Sequence, residues 1–387
     1  MVPRWTRVTL LIASTFTVMA GATLSPALPA MQAVFADAPH AALLTRLVLT
    51  LPALFIVLAA PLAGYLVDRV GRRPLLLGAS LLYVLAGSSG VLLDSLPQIL
   101  VGRALLGVAV AGLMTSVTTL IGDYFDGLTR ARILGAQGAF MSLGGVVFVL
   151  AGGLLADLHW RAPFLVYLAP LLLMPLILRL PEPARHVHDP DLPLAAMPWR
   201  IVSVIYGSAL LGMMIFYVIP VQLPYLLAER VGASSTAVGA SIAVANVFGG
   251  LAGFGFGRVR GQMGPIPIVA LVFALMSVGY ALIGFAGGYP LVLLGLALAG
   301  MGLGLTIPNL STWLTSLTPP HLRGRLVGGL TTAVFLGQFL SPLAVQPLIT
   351  RGGTVAAFLG SAVLLALLAL LTWLLRRVLH RLHPPVP

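Results

Sequence analysis

The ten residues GYLVDRVGRR, Gly64 to Arg73, hold one carboxylate and three arginines between two apolar runs near residues 43–66 and 74–93. Each run is about as long as the roughly 20 residues a helix needs to cross a hydrocarbon core of about 30 Å. A polar stretch this short reads as the bend of a helical hairpin, and its arginines hold that bend on one face of a membrane. Gly64, at its opening, permits close helix approach. Asp68 is placed to accept bonds from a neighbouring helix N-terminus or from an arginine.

Outward from this bend the same pattern fills the chain. Of 387 residues, 59% are hydrophobic and 8% charged, with a mean hydropathy of +1.04. No water-soluble fold has enough interior to hide that much apolar side chain, so lipid is the solvent for most of it. The runs predict helices near residues 5–28, 43–66, 74–93, 97–122, 133–156 and 162–179. Six more are predicted near 200–226, 235–257, 265–286, 290–313, 326–349 and 354–377. Arg4 and Arg7 before the first run imitate a secretory signal, but the many spans that follow make it a retained first helix. Residues 180–199 are Pro-rich, carry Glu182, Arg185, His186, His188, Asp189 and Asp191, and form the one substantial linker. The expected fold is all-α and integral to the membrane, with twelve transmembrane helices in two pseudo-symmetric six-helix bundles. Residues 1–179 form the first bundle, 180–199 a cytoplasmic linker and 200–387 the second.

Charge orients this arrangement. All 22 basic residues are arginine and the formal net charge is +12. Clustered on a soluble face, that charge would suggest a nucleic-acid partner; here it is spread over helix ends and none is expected. On the side of the termini lie Arg4, Arg7, Arg69, Arg72, Arg73, Arg130, Arg132, Arg179, Arg185, Arg200, Arg258, Arg260, Arg323, Arg325, Arg376, Arg377 and Arg381. Opposite lie Arg46, Arg161, Arg230 and Arg351. The bias predicts that both termini and the linker are cytoplasmic. Cysteine is absent, which excludes disulfides, thiolate catalysis and cysteine metal sites and leaves the redox compartment open.

The halves repeat. RARILG from Arg130 has a counterpart RGRLVG from Arg323, 193 positions later, and Leu28 and Pro29 correspond to Leu223 and Pro224 at a similar offset. Two such matches in equivalent places point to duplication.

The Gly64–Arg73 string resembles the signature loop of the major facilitator superfamily. The resemblance implies a conformational latch for the inward-closed arrangement, made of Gly64, Asp68, Arg69, Gly71, Arg72 and Arg73 with an acidic partner, Asp123, at the end of the fourth helix. The alternative is that these charges only set topology. The second-half copy, Gly253 to Arg258, places Gly257 where Asp68 stands, so only the first latch is expected to be strong. The fourth helix, with Gly102, Arg103, Gly107, Ala111 and Gly112, resembles the family's second motif, whose arginine is often linked to proton transfer. A guanidinium at the bilayer centre costs about 2.5–3.5 kcal/mol on insertion scales, so Arg103 is expected to face a wet cavity or a partner, or else to snorkel to the interface. Gly138, Gly144, Gly145, Gly152 and Gly153 resemble the family's antiporter motif, but its Gly-Pro pair falls on Phe148 and Val149, which weakens a drug:proton assignment. In the eleventh helix Ser341 and Pro342 stand at the corresponding place.

No Asp, Glu or His falls near the middle of a predicted helix, so the expected substrate is a small neutral or anionic organic molecule, with Arg103 lending positive potential. Thr15, Met114, Thr115, Tyr217, Asn246, Asn309 and Gln338 lie at mid-depth. They line a substrate or proton pathway between the halves, or each makes an interhelical hydrogen bond. Gly249, Gly253 and Gly257 read as helix packing. The histidines, including His186, His188, His380 and His383, fall in loops and tails, and with Asp189 give no metal-ligand pattern. No metal and no cofactor is expected. The short loops and the Leu28–Pro29 pair look like bacterial efflux members of the family. The implied function is a secondary active transporter working by alternating access in the bacterial inner membrane, as a monomer among lipids. Its small-molecule substrate is exported, with protons as a candidate coupling ion. An uptake permease is the alternative, and a non-transporting receptor or scaffold the alternative of another class. A membrane-embedded enzyme would need paired carboxylates, a metal cluster or an activated nucleophile.

Overall fold

The computed structural model describes residues 3–183, 199–318 and 322–381. Among them there is no β-strand. The chain crosses as α1 (Arg4–Val34), α2 (Ala41–Arg69), α3 (Arg72–Val91), α4 (Leu96–Tyr124), α5 (Gly127–Leu158), α6 (Ala162–Ile177), α7 (Trp199–Val231), α8 (Ser235–Gln262), α9 (Pro265–Phe285) and α10 (Tyr289–Ser316). The last helix, Arg323–Arg381, leaves helical geometry at Gly352 and at Gly353, whose φ is +68°. That break divides it into α11 (323–351) and α12 (354–381), so the described residues hold the twelve apolar segments the hydropathy predicts. Of these, α6 is shorter than a full span, with Pro163, Pro170 and Pro175 interrupting its hydrogen bonding.

The helices overrun their expected ends on the side of the Gly64–Arg73 bend. Hydropathy reports only the part in hydrocarbon, whereas α2 keeps its ladder to Arg69 and α4 to Tyr124. The bend therefore shrinks to Val70 and Gly71, and Gly71 makes the reversal at φ +109°. Residues 184–198 lie outside the described set, and with them Arg185, His186, His188, Asp189 and Asp191; so does His383.

Packing resolves two compact units. One takes in the described residues of Met1–Val187 together with Leu223–Ala243; the other takes in those of His188–Gln222 and Val244–Pro387. In the first, α4 packs against α2 and α3, and α5 lies on α1. In the second, α9 packs on α10 and on Arg323–Arg381. Leu58, Leu62 and Leu85 in one unit, and Leu367, Leu371 and Leu374 in the other, stand exposed, as side chains solvated by lipid do.

Small residues carry the closest crossings. A Cβ built on Gly107 of α4 would lie 2.4 Å from the Pro52 carbonyl oxygen of α2. One on Gly304 of α10 would lie 1.9 Å from the Gly249 oxygen of α8. The packing expected of Gly249 and Gly253 is thus present along α8, but Gly257 is not part of it: a Cβ there meets nothing within 4 Å. Gly64 also differs from expectation, since its Cβ position is open and no helix approaches it closely. Gly304→Leu is expected to destabilise the protein by at least about 2–3 kcal/mol, because backbone rather than a pliable side chain blocks the space. Gly257→Leu is expected to be tolerated. Melting of both variants in detergent, followed by size-exclusion chromatography, checks the contrast.

Candidate functional site

Arg72 opens α3 and is 3% exposed. Its Nε donates to Asp123 Oδ2 at 3.0 Å, its Nη2 lies 3.6 Å from Asp68 Oδ1, and its Nη1 donates to the Val67 carbonyl at 3.3 Å. One guanidinium thus ties together the ends of α2, α3 and α4. The Asp68 side chain is 61% exposed and Asp123 only 15%, so the pair with Asp123 is the less screened of the two. Arg69 stacks over the Tyr65 ring at 4.9 Å.

A further carboxylate sits here that sequence reading treats only as a linker charge. Glu182, just past α6, accepts the backbone N–H of Arg72 at 2.6 Å through Oε1 and that of Arg73 at 2.9 Å through Oε2. It caps the free donors at the N-terminus of α3. Its carboxylate also explains Gly71, since a Cβ there would lie 2.7 Å from Glu182 Oε1. Tyr124 donates its hydroxyl to the Pro181 carbonyl and holds the same segment. The only local signal was an acid directly after Pro181; its partners stand 110 and 109 positions earlier.

Arg103 does not snorkel. It is 1% exposed, donating from Nε to the Val48 carbonyl at 2.9 Å and from Nη2 to the Ala20 carbonyl, with its guanidinium over the Tyr167 ring at 5.0 Å. Both acceptors have a reason to be available. Val48 lies four residues before Pro52, which has no N–H to offer, and Ala20 lies in the last α-helical turn of α1 before its ladder breaks after Ala22. Tyr167 donates to the same Ala20 oxygen at 3.2 Å. Arg103 is therefore a brace inside its own unit through Nε and Nη2, while its buried Nη1 meets no hydrogen-bond partner among the described residues.

The second unit mends its first helix in a related way. The α7 ladder is interrupted at Tyr217, and Pro220 cannot bond the Phe216 carbonyl. Tyr280 of α9 donates to the Ile215 oxygen at 2.6 Å and the Phe216 oxygen at 3.1 Å. In the first unit Tyr83 of α3 donates to the Phe16 oxygen of α1 at 2.8 Å.

The mid-depth polar residues fall into two groups. Thr15 turns its hydroxyl back to the Ile12 carbonyl at 2.7 Å and packs where a Cβ on Gly144 would stand. Asn309, 1% exposed, donates from Nδ2 to the Pro265 carbonyl at 2.9 Å and ties α10 to α9. For Asn309 the interhelical reading describes the geometry, whereas Thr15 bonds within its own helix and meets α5 only by packing. Met114 and Thr115 in the first unit, and Tyr217, Asn246 and Gln338 in the second, are half-buried.

At the end of the first unit opposite the Gly64–Arg73 bend lies a cavity of about 560 Å³, lined among others by Pro29, Gln32, His40, Tyr225 and Glu229. Beside it, Arg46 stacks on the Tyr225 ring at 4.5 Å, and the Tyr225 hydroxyl donates to the Leu28 carbonyl at 3.4 Å. On α5, Asp157 accepts the Ser235 N–H at 2.7 Å through Oδ1 and the Thr236 N–H at 3.0 Å through Oδ2. Because Arg103 serves the Val48 carbonyl and shares the Ala20 carbonyl with Tyr167, and an orphaned buried acceptor costs roughly 1–3 kcal/mol, Arg103→Met is expected to lower the melting temperature by roughly 5 °C or more. Arg103→Lys is expected to recover only part of this. Thermal unfolding in detergent checks it, and unchanged melting would show that the brace carries no weight.

Residues 10–342 and 204–387 match the Major Facilitator Superfamily. Over 330 residues the chain is 30% identical to the tetracycline resistance protein, class C, of Escherichia coli, which covers 77% of this chain and 78% of that one. Over 341 residues it is 24% identical to the bacillibactin exporter of Bacillus subtilis (strain 168), covering 81% and 83%. Among solved structures, a D-xylose-proton symporter superposes with a TM-score of 0.77 over 95% of this chain and 97% of that chain, at 17% identity, a likeness of fold alone. With its helical spans, its basic bend and these matches over most of its length, the chain belongs to the Major Facilitator Superfamily, as a multi-span membrane transporter and not an enzyme.

Proposed function

We propose that this transporter exports a small neutral or anionic organic molecule by alternating access, with both termini and the 180–199 linker in the cytoplasm. The placement of its acids carries the reading. Among the described residues Asp37, Asp94, Asp126 and Glu182 lie between helices, while Asp68, Asp123, Asp157 and Glu229 lie in the last turn of theirs. An organic cation held at mid-depth would need a carboxylate beside it, and none of these is there. Export is supported by the names of the relatives, one a resistance protein and one an exporter. Met114 and Thr115 in one unit, and Tyr217, Asn246 and Gln338 in the other, are the candidates for substrate contact.

Expression in a strain stripped of its own exporters is expected to raise tolerance to a neutral or anionic compound within a broad panel. Tolerance confined to quaternary ammonium cations would overturn the substrate class, and accumulation instead of extrusion would favour an uptake permease. Gln at Arg72 or Asn at Asp123 removes a largely buried, charge-assisted bond, and flux in proteoliposomes is expected to fall about tenfold. Asp68→Asn is expected to change melting by less than about 0.5 kcal/mol equivalent, since that pair is long and exposed, yet to slow flux. If the loop charges only set topology, all three variants transport normally whenever their orientation is kept.

A further inference from the structure

We infer that Asp157 is a positioning residue for transport: its carboxylate clasps the N-terminus of α8 and holds shut the end of the protein opposite the Gly64–Arg73 bend. Three observations meet there. The first is how the chain packs. Residues Leu223–Ala243 belong by sequence to the second repeat, yet they form one compact unit with the first half. The α7–α8 corner thus packs with the first half, and the residues that hold it there can be named.

The second is the clasp. Asp157 stands one residue before the end of α5, and its two oxygens take the N–H groups of Ser235 and Thr236, the first two residues of α8. These are donors that a helix leaves unpaired, and a carboxylate on them gains both charge-assisted hydrogen bonds and the favourable end of the helix dipole. The Ser234 hydroxyl takes the Ala237 N–H at 3.2 Å, so the two caps share the turn without competing.

The third is the seam beneath the clasp. A Cβ on Gly153 would lie 2.6 Å from the Ser235 carbonyl oxygen, and one on Gly239 would lie 2.7 Å from the Val149 oxygen. The backbones of α5 and α8 thus touch over about one turn below Asp157, and Val238 is buried there at 2% exposure. On its other flank the corner meets the first half around the 560 Å³ cavity, where the Arg46–Tyr225 stack and the long Tyr225–Leu28 bond are among the contacts. Of the polar contacts described at this corner, the one at Asp157 is bidentate and made by a full charge. Alternating access requires such an end to open and reclose. A contact of backbone on backbone can part without rearranging side chains, and a carboxylate on two N–H groups gives the closed state its preference.

The inference goes beyond the export reading and needs only that the transporter opens at this end. Its test uses no substrate, so its failure and the failure of that reading are distinguishable. The chain has no cysteine, so Val238→Cys places a single thiol behind the seam. In purified full-length protein in lipid nanodiscs, reaction of that thiol with a hydrophilic maleimide reports opening from either face. Labelling of the V238C parent is expected to be slow. Asp157→Asn in that background is expected to speed labelling about tenfold, by shifting the equilibrium toward the open form. Ser235→Pro removes one of the two N–H donors at a helix position where proline is well accommodated, and is expected to speed it less. Asp157→Glu is expected to restore slow labelling in part, which a general loosening of the fold would not do. Rates within twofold of the parent for both D157N and S235P would overturn the inference, as would a parent that already labels rapidly.

Discussion

In hydrocarbon a backbone carbonyl has no water to turn to, and the architecture is organised around that constraint. Most of the chain meets it with uninterrupted helix. Where proline or a helix end frees a carbonyl, a side chain from elsewhere supplies the donor: Arg103 and Tyr167 at Ala20, Arg103 at Val48, and Tyr280 at Ile215 and Phe216. A buried arginine is tolerable here because its charge is met by carbonyl dipoles and an aromatic face. Arg103 serves the break in α1 and Tyr280 the one in α7, and these donors keep each break in one defined geometry.

Charge is used sparingly and at the ends. Glu182 caps α3 at one end of the first unit and Asp157 caps α8 at the other, each carboxylate taking two adjacent backbone N–H groups. The same chemistry serves two outcomes. At Glu182 the cap stiffens a bend already crossed by the Arg72–Asp123 pair, joining α6 and the start of the linker to α2, α3 and α4. At Asp157 it holds a segment that belongs by repeat to the other half.

Signals that are local in sequence were legible. Apolar runs located the helices because lipid demands about 20 such residues in a row, and the break at Gly352–Gly353 fell where two runs were expected to part. The pairing of Arg72 with Asp68 and Asp123 was readable from the resemblance, because the motif carries it. What escaped was set by distance along the chain. Glu182 finds its partners about 110 positions away and Asp157 its own 78 and 79 away, and nothing in the local pattern of either acid distinguishes a cap from a solvated charge. The role of Arg103 was hidden for another reason: the need for it is created by Pro52 and by the end of the helix at Ala22, so it can be seen only when three helices are placed side by side. Gly64 shows the converse, a motif glycine with open space beside it.

In the first unit the joins between α1 and α2, α3 and α4, and α5 and α6 are short, and the longest of them runs only from Phe35 to His40. Such joins leave little extended polypeptide beyond the helix ends. Proteases and antibodies, which need several residues of extended peptide, find almost nothing to grip there. A binding reagent intended to mark the molecule for imaging finds more to hold at the Gly64–Arg73 bend, where α2 and α4 run on past their apolar stretches to Arg69 and Tyr124.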